Sequence, residues 1–329
     1  MVTKNQMIEK WDILDSLMAT SLSDQQRAMA YGANAITDLD SMLAEMLDLI
    51  DPNQQKERIV FLPADYMYAY NPYLMEHRDE MLADIYTVVV SASVGEHSHV
   101  RDLSSLVLLS PQPTNLQSVV GERAQIAKLM QRRNWYVDVV RSVGNESELA
   151  DRMQGADAMH ISSHALQSDL YAGIQRDSTK RELLYKDEVG IVGRRLWTSL
   201  LQYRPDVNKE GVMYGDGVLA PLEMEVYNIV TPRHVYLSTC QTIAFTSDVQ
   251  EPPDGLIREL FAQGANCVVA SSTPVNDTYA AEHAKRYYRK LAEGMSPEII
   301  TAQIVSEGRR RRENVQIYGS YYPIYFSVP

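Results

Sequence analysis

The sequence predicts an α/β protein, with a mostly parallel sheet sandwiched between helices. Three observations carry that reading. From residue 57 onward, short β-branched or aliphatic runs recur: "RIVFLP", "YTVVVSAS", "SLVLLSP", "WYVDVVRS", "AMHISSH", "HVYLSTC" and "CVVASST". Each is apolar on both faces, as strands of a sheet covered by helices must be. Several are followed by amphipathic stretches such as "ERAQIAKLMQRR" and "AAEHAKRYYRKLAEG", which gives a strand–turn–helix rhythm. Finally, 45% hydrophobic and 22% charged residues over 329 positions are enough to bury a substantial core.

Along the chain, residues 1–56 read as a helical segment. "KWDILDSLMATSL" and "ITDLDSMLAEMLDLI" place apolar residues at helical spacing, and "DPNQQ" stops the pattern. The strand–helix texture follows. It is interrupted between residues 165 and 217 by a long polar tract in which only "RRLWTSLLQY" looks regular. A long insertion beside a strand end is usually a lid, a binding loop or a disordered stretch. Near the end, Arg309 to Arg312 form a basic run that reads as a solvated helix end, where cations suit the negative end of the helix dipole, with a local binding patch as the alternative.

Composition excludes several classes. A net charge of −12 and a pI near 5.1 argue against a direct nucleic-acid partner across the whole surface. No apolar run reaches the roughly 18 residues of a membrane span. The opening "MVTKNQMIEKWDILD" lacks a signal-peptide core, so the expected compartment is the cytoplasm. Two cysteines, Cys240 and Cys267, make neither a disulfide framework nor a zinc site. His97 and His99 have no nearby cysteine or acid to complete a metal shell, and they read as loop. No GxxxxGK[ST] or GxGxxG motif occurs, so no nucleotide cofactor is expected.

Two strand ends carry potential chemistry. "HVYLSTCQT" delivers Cys240 and "AMHISSHAL" delivers His164. Ligands and chemistry gather at the carboxyl ends of strands in open parallel sheets. A thiol near pKa 8.5 is only a few per cent thiolate at neutral pH, and a neighbouring imidazole can take its proton and return it to a leaving amine. Backbone N–H groups in the turns would meet the charge that develops on the attacked carbonyl. The competing readings are a buried cysteine as strand filler and His160 with His164 as an i, i+4 metal pair. The second lacks the glutamate of HExxH. Cys267, in mid-strand, reads as core.

These stretches resemble the CHAT domain, a caspase-like module related to separase. "AMHISSHA" is similar to that family's histidine motif, and "DGVLAPLEMEVYNIVTPRHVYLSTCQT" to its cysteine motif. "GLIRELFAQGANCVVASSTPVNDTYAAEHAKRYYRKLAEGMSPEIITAQ" is similar to the segment that follows. Upstream, "RIVFLPADYMYAYNPYLM" and "SLVLLSPQPTNLQSVVGERAQIAKLM" resemble the earlier steps, so the resemblance spans residues 57–329 in family order. It implies a caspase-like α/β/α sandwich after the helical segment. Residues 57–150 would form a degenerate N-terminal lobe and 151–329 a catalytic lobe. The 76 residues from His164 to Cys240 exceed the usual spacing because of the polar tract.

The resemblance implies Cys240 as nucleophile and His164 as general base and acid. The oxyanion hole would come from the N–H groups of Cys240 and Ala165, with His160 helping to set the catalytic ring. Ala165 replaces the usual glycine, and it would be strained if the backbone needed positive φ. In "TPVND", Asp277 matches the acid at the base of the S1 pocket, where a carboxylate pairs well with guanidinium, and Thr273 stands where the family has tryptophan. Asp277 also reads as a helix N-cap.

The expected function is a cysteine endopeptidase that cleaves a specific protein after Arg or Lys through an acyl-enzyme, without cofactor or metal. The family's logic adds activation by a partner or ligand. Many such modules serve prokaryotic antiviral defence or cell-death systems, cutting a gasdermin-like pore former or a CRISPR-linked effector. The alternatives are a caspase-like scaffold that retains the fold without proteolysis, and a small-molecule thiol hydrolase.

Overall fold

The computed structural model describes residues 58–63, 71–77, 80–93, 102–109, 117–140, 146–167, 189–192, 218–219, 230–239, 256–273 and 275–326. The expected N-terminal helices, His97 and His99, "RRLWTSLLQY" and Cys240 lie outside the described residues.

All seven predicted runs are strands of one eight-stranded sheet. They are β1 (Arg58–Phe61), β4 (Thr87–Ser91), β5 (Ser105–Leu109), β6 (Tyr136–Val140), β7 (Ala158–Ser162), β11 (His234–Ser238) and β12 (Cys267–Ser271). β13 (Tyr321–Tyr325) completes the order β1-β4-β13-β12-β11-β7-β5-β6. Every neighbouring pair is parallel except β12 with β13. The sheet is therefore two parallel blocks running in opposite directions. Strands from both sides of residue 150 share it. The short pair β2 (Glu76–His77) and β3 (Glu80–Met81) stands apart.

Among the described residues the α-helices are α1 (Leu82–Ile85), α2 (Val119–Gln131), α3 (Glu146–Met153), α4 (Leu256–Ala262), α5 (Asp277–Leu291), α6 (Pro297–Arg310) and α7 (Val315–Tyr318). They cover the sheet on both faces, and strand alternation sorts the core between them. Val235, Leu237, Met159, Ile161, Val268 and Ala270 pack on one side with Ile257, Leu260 and Phe261 of α4. Tyr236, Ala158, Cys267 and Val269 pack on the other with Ile126 and Met130 of α2 and Ala284, Tyr287 and Tyr288 of α5. Central strands such as β7, β11 and β12 are buried at every position, which is why they read as continuous apolar runs.

The amino-terminal edge of the block is tied by Asp157. Its carboxylate accepts from the backbone N–H and hydroxyl groups of both Ser104 and Ser105, and pairs with Arg233 at 2.9 Å. Partial burial alone would raise its pKa, but these donors outweigh that and hold it at about 2.

Three details differ from the sequence reading. β13, "YYPIY", is a strand beyond the seven that the sequence predicts, and it carries an internal proline, which ordinarily argues against a strand. Pairing with β4 starts only at Ile324, so on that side Pro323 interrupts no ladder. β7 stops at Ser162, and after a bend at Ser163 the chain enters β8 (His164–Gln167). Strand also occurs inside the polar tract, at its described residues 165–167 and 189–192. β8 pairs antiparallel with β9 (Val189–Val192), which pairs with β10 (Val218–Leu219). "VGIV" is too short to register as a strand on its own periodicity.

Candidate active site

β7 and β11 are adjacent, parallel and in register, with Ala158 beside His234, His160 beside Tyr236 and Ser162 beside Ser238. One further bond, from Ser163 N–H to Ser238 O at 3.3 Å, closes the ladder. The offset between partners is constant, so positions 164 and 240 each come two residues after the last pair. The backbone of His164 opens β8 opposite Val192. Thr239, which is buried, is the last residue described before Cys240. Ala165 lies inside β8 opposite Ile191 and is not among the residues with positive φ, so alanine in place of glycine costs no backbone strain there.

Three neighbouring parallel strands end in buried hydroxyl pairs: Ser162 and Ser163, Ser238 and Thr239, Ser271 and Ser272. Such side chains are small enough for close packing and still supply donors to a turn. Ser271 shows the use: its Oγ donates to Thr273 O at 2.7 Å and accepts from Thr273 N–H at 3.2 Å, shaping the turn after β12.

Beneath this rim lies a buried polar network. His160 Nε2 is 2.6 Å from Glu122 Oε1 and 2.8 Å from Ser162 Oγ, and the Ser162 hydroxyl donates to the same carboxylate oxygen at 3.0 Å. His160 and Glu122 are each 1% exposed, so each depends on the other for its polar contacts. A proton on Nε2 satisfies this arrangement, and Nδ1 is buried with no hydrogen-bond partner among the described residues. Glu122 sits in the first turn of α2, where the helix dipole favours a carboxylate. The His160 ring also stacks on Tyr236 with centroids 4.9 Å apart. It is thus anchored from α2 and β11 together. The network ends at Ser162, two residues before His164.

Two more imidazoles are sealed on this face. Tyr287 OH meets His234 Nε2 at 3.2 Å, and Tyr236 OH meets His283 Nδ1 at 2.6 Å. Burial, with a smaller push from His160, lowers His234 to about 3. Burial, with a smaller push from Arg286, does the same to His283. Neither is a base for chemistry near neutral pH; both are neutral structural groups. Cys267 is fully buried, and burial pushes its thiol well above the ordinary value, in keeping with a core role.

Asp277 is the first residue of α5, and the cap is its neighbour: Asn276 accepts from Thr278 N–H at 2.9 Å. This corrects the reading of Asp277 as N-cap. Its Oδ2 instead accepts from Ser118 N–H at 2.8 Å, joining the starts of α2 and α5. The Arg309–Arg312 run closes α6, with Arg312 at φ 53 after the last turn. Among the described residues no group of three or more His, Cys, Asp or Glu is assembled to hold a metal, and no helix is long and apolar enough to cross a membrane.

Sequence reasoning does not single out Glu122 as a site residue. The signal is present as the acid that opens "ERAQIAKLM", but the partner it needs is 38 residues further on.

The family model of the CHAT domain matches residues 34–304. The chain belongs to the CHAT domain family. It therefore has a cysteine-peptidase-type fold of the caspase-like kind. Among solved structures, the Saccharomyces cerevisiae separase–securin complex is similar at 12% identity and a TM-score of 0.39. The match covers 76% of this chain and 14% of that one, so the CHAT chain spans a small part of its neighbour. A complex of Porphyromonas gingivalis RgpB pro- and mature domains is similar at 9% identity and a TM-score of 0.40, over 99% of this chain and 77% of that one. No curated protein matches the sequence significantly.

Proposed function

We propose that this CHAT domain is a cysteine endopeptidase acting through Cys240 and His164. The observation that supports it is the in-register pairing of β7 with β11, which brings both strands to one rim with the two residues equally far beyond the last pair. One peptide unit, about 3.8 Å, separates Thr239 from Cys240, so the thiol starts from a fixed and buried stem.

In the proposed reaction His164 takes the Cys240 proton, and the thiolate attacks the substrate carbonyl. The N–H groups of Cys240 and Ala165 receive the oxyanion. The C–N bond breaks as His164 returns the proton to the leaving amine, which leaves a thioester. Water, deprotonated by His164, then attacks the thioester and releases the new carboxyl terminus and the thiol. The Glu122–His160–Ser162 network stiffens the end of β7 and so positions His164. Asp277, at the start of α5 beside the same rim, is assigned to a basic P1 side chain, preferably Arg for its bidentate geometry. Activation by a partner or ligand belongs to the same proposal.

The test compares wild type with Cys240→Ala on a complex peptide mixture, reading new amino termini by mass spectrometry. Cleavage after Arg or Lys that vanishes in the variant, a loss of more than about a thousandfold, supports the proposal. Wild type that neither cleaves nor reacts with a peptidyl-Arg acyloxymethylketone, alone or with a partner, leaves the scaffold reading.

A further inference from the structure

On the face of the sheet that carries His160, α2 and α5 run side by side. Both start at the rim that bears the candidate site, where Ser118 and Asp277 join them. Between their later turns lies a groove of about 240 Å³ lined by Gln125, Ile126, Lys128, Leu129 and Arg132 of the α2 segment and by Lys285 and Arg289 of α5. Four of these seven residues are cations and none is an acid.

The pairing of charge along α5 makes this unusual. Arg286 and Lys290, each one position beyond a groove cation, are matched with acids: Arg286 with Glu282 and Glu313, Lys290 with Glu307. Lys128, Arg132, Lys285 and Arg289 have no ion-pair partner among the described residues. Acids are not scarce, since the chain holds 43 Asp and Glu against 31 Lys and Arg. Lys128 with Arg132 and Lys285 with Arg289 are also like charges at i, i+4, an arrangement that repels. The helix dipole favours cations in a last turn, as for Lys128 and Arg289, but Lys285 lies in the middle of α5.

We propose that this groove binds an acidic, aliphatic segment of a partner protein. Two rows of cations would pair with carboxylates, and half-buried Leu129, backed by the core residue Ile126, would form the apolar floor for an aliphatic side chain between them. The lining contains no aromatic ring, which disfavours nucleic acid because bases bound to single-strand sites stack on such rings. The groove is also smaller than an ordinary small-molecule pocket and suits a few side chains of a longer segment. It begins about 12 Å along the α5 axis from Asp277, so a bound segment leaves the rim clear. The site thus recruits or anchors a partner independently of any cleavage.

The experiment uses the full chain and a fluorescein-labelled peptide that alternates Glu with Leu, with binding read by anisotropy at roughly 50 mM salt. Saturable binding that weakens about tenfold or more in Lys128→Glu/Arg289→Glu supports the proposal. Lys128→Ala/Arg289→Ala should show a smaller loss, and melting curves establish that both variants fold. Arg310→Glu/Arg312→Glu, on the exposed end of α6, should leave affinity within about twofold. Four results would each overturn it: no loss in the folded groove variants, equal loss in the α6 variant, equal binding of a Glu–Ser peptide of the same charge, or tighter binding of a single-stranded oligonucleotide.

Discussion

The two faces of the sheet are equally buried and chemically unlike. Toward α4, the strands present Val, Leu, Ile and Met, and stability comes from excluded water and close packing. Toward α2 and α5, the same strands present His160, His234 and Tyr236, answered by Glu122, His283, Tyr287 and Tyr288. The paired groups there have already lost water and depend on one or two fixed partners, while the Tyr288 hydroxyl and one nitrogen of each imidazole have no hydrogen-bond partner among the described residues. A hydrocarbon face tolerates repacking, whereas a buried network penalises the loss of any single member and holds its strands in one arrangement. The polar face adjoins the strand ends from which the proposed chemistry projects.

Substitutions on the two faces sharpen that contrast. The largest cost is expected for Glu122→Ala, which strands His160 and Ser162, at about 3–5 kcal/mol in urea unfolding. Glu122→Gln, which keeps an acceptor, should recover much of it. If Glu122→Ala costs no more than a surface change, the network contributes nothing. On the other face, Leu237→Ala should cost about 2–5 kcal/mol through its cavity, with no effect on the pH dependence of stability.

That pH dependence belongs to the polar face. His234 and His283 titrate near 6.5 when unfolded and near 3 when folded, so the unfolded chain binds more protons between those values. Their contribution is complete above pH 6.5 and is lost as pH falls toward 3, by up to about 1.4 kcal/mol per pH unit for each. Urea midpoints measured from pH 7 to 4.5 should fall accordingly, and His283→Leu should flatten the slope. Tyr236→Phe removes the partner of His283 Nδ1 and is expected to cost about 1–3 kcal/mol. The smallest effect is expected for Asp277→Asn, about 1 kcal/mol or less, because an amide oxygen still accepts from Ser118 N–H. Its sharper consequence would be a lost preference for Arg at P1.

The sheet was legible because strands buried on both faces must be apolar throughout, as in "TVVVS" and "CVVAS". β13 was not, since Pro323 and a run of tyrosines imitate a loop, and only its neighbours show where a proline is harmless. His160 stood out in the sequence, but its role depends on Glu122, a contact that no local pattern encodes. The cap of α5 fell one residue from the expected position, because Asn276 and Asp277 are both good caps and only geometry chooses between them.

The central claim is that β7 and β11 bring an imidazole to a reactive thiol at one rim. It is tested most directly by the rate of iodoacetamide alkylation at Cys240 and Cys267, resolved by peptide mapping across pH, in wild type and His164→Ala. The prediction is fast modification of Cys240 that persists below pH 8 and slows in His164→Ala, with Cys267 unmodified in the folded protein. Equal slowness of both thiols, or a Cys240 rate indifferent to His164, would contradict it.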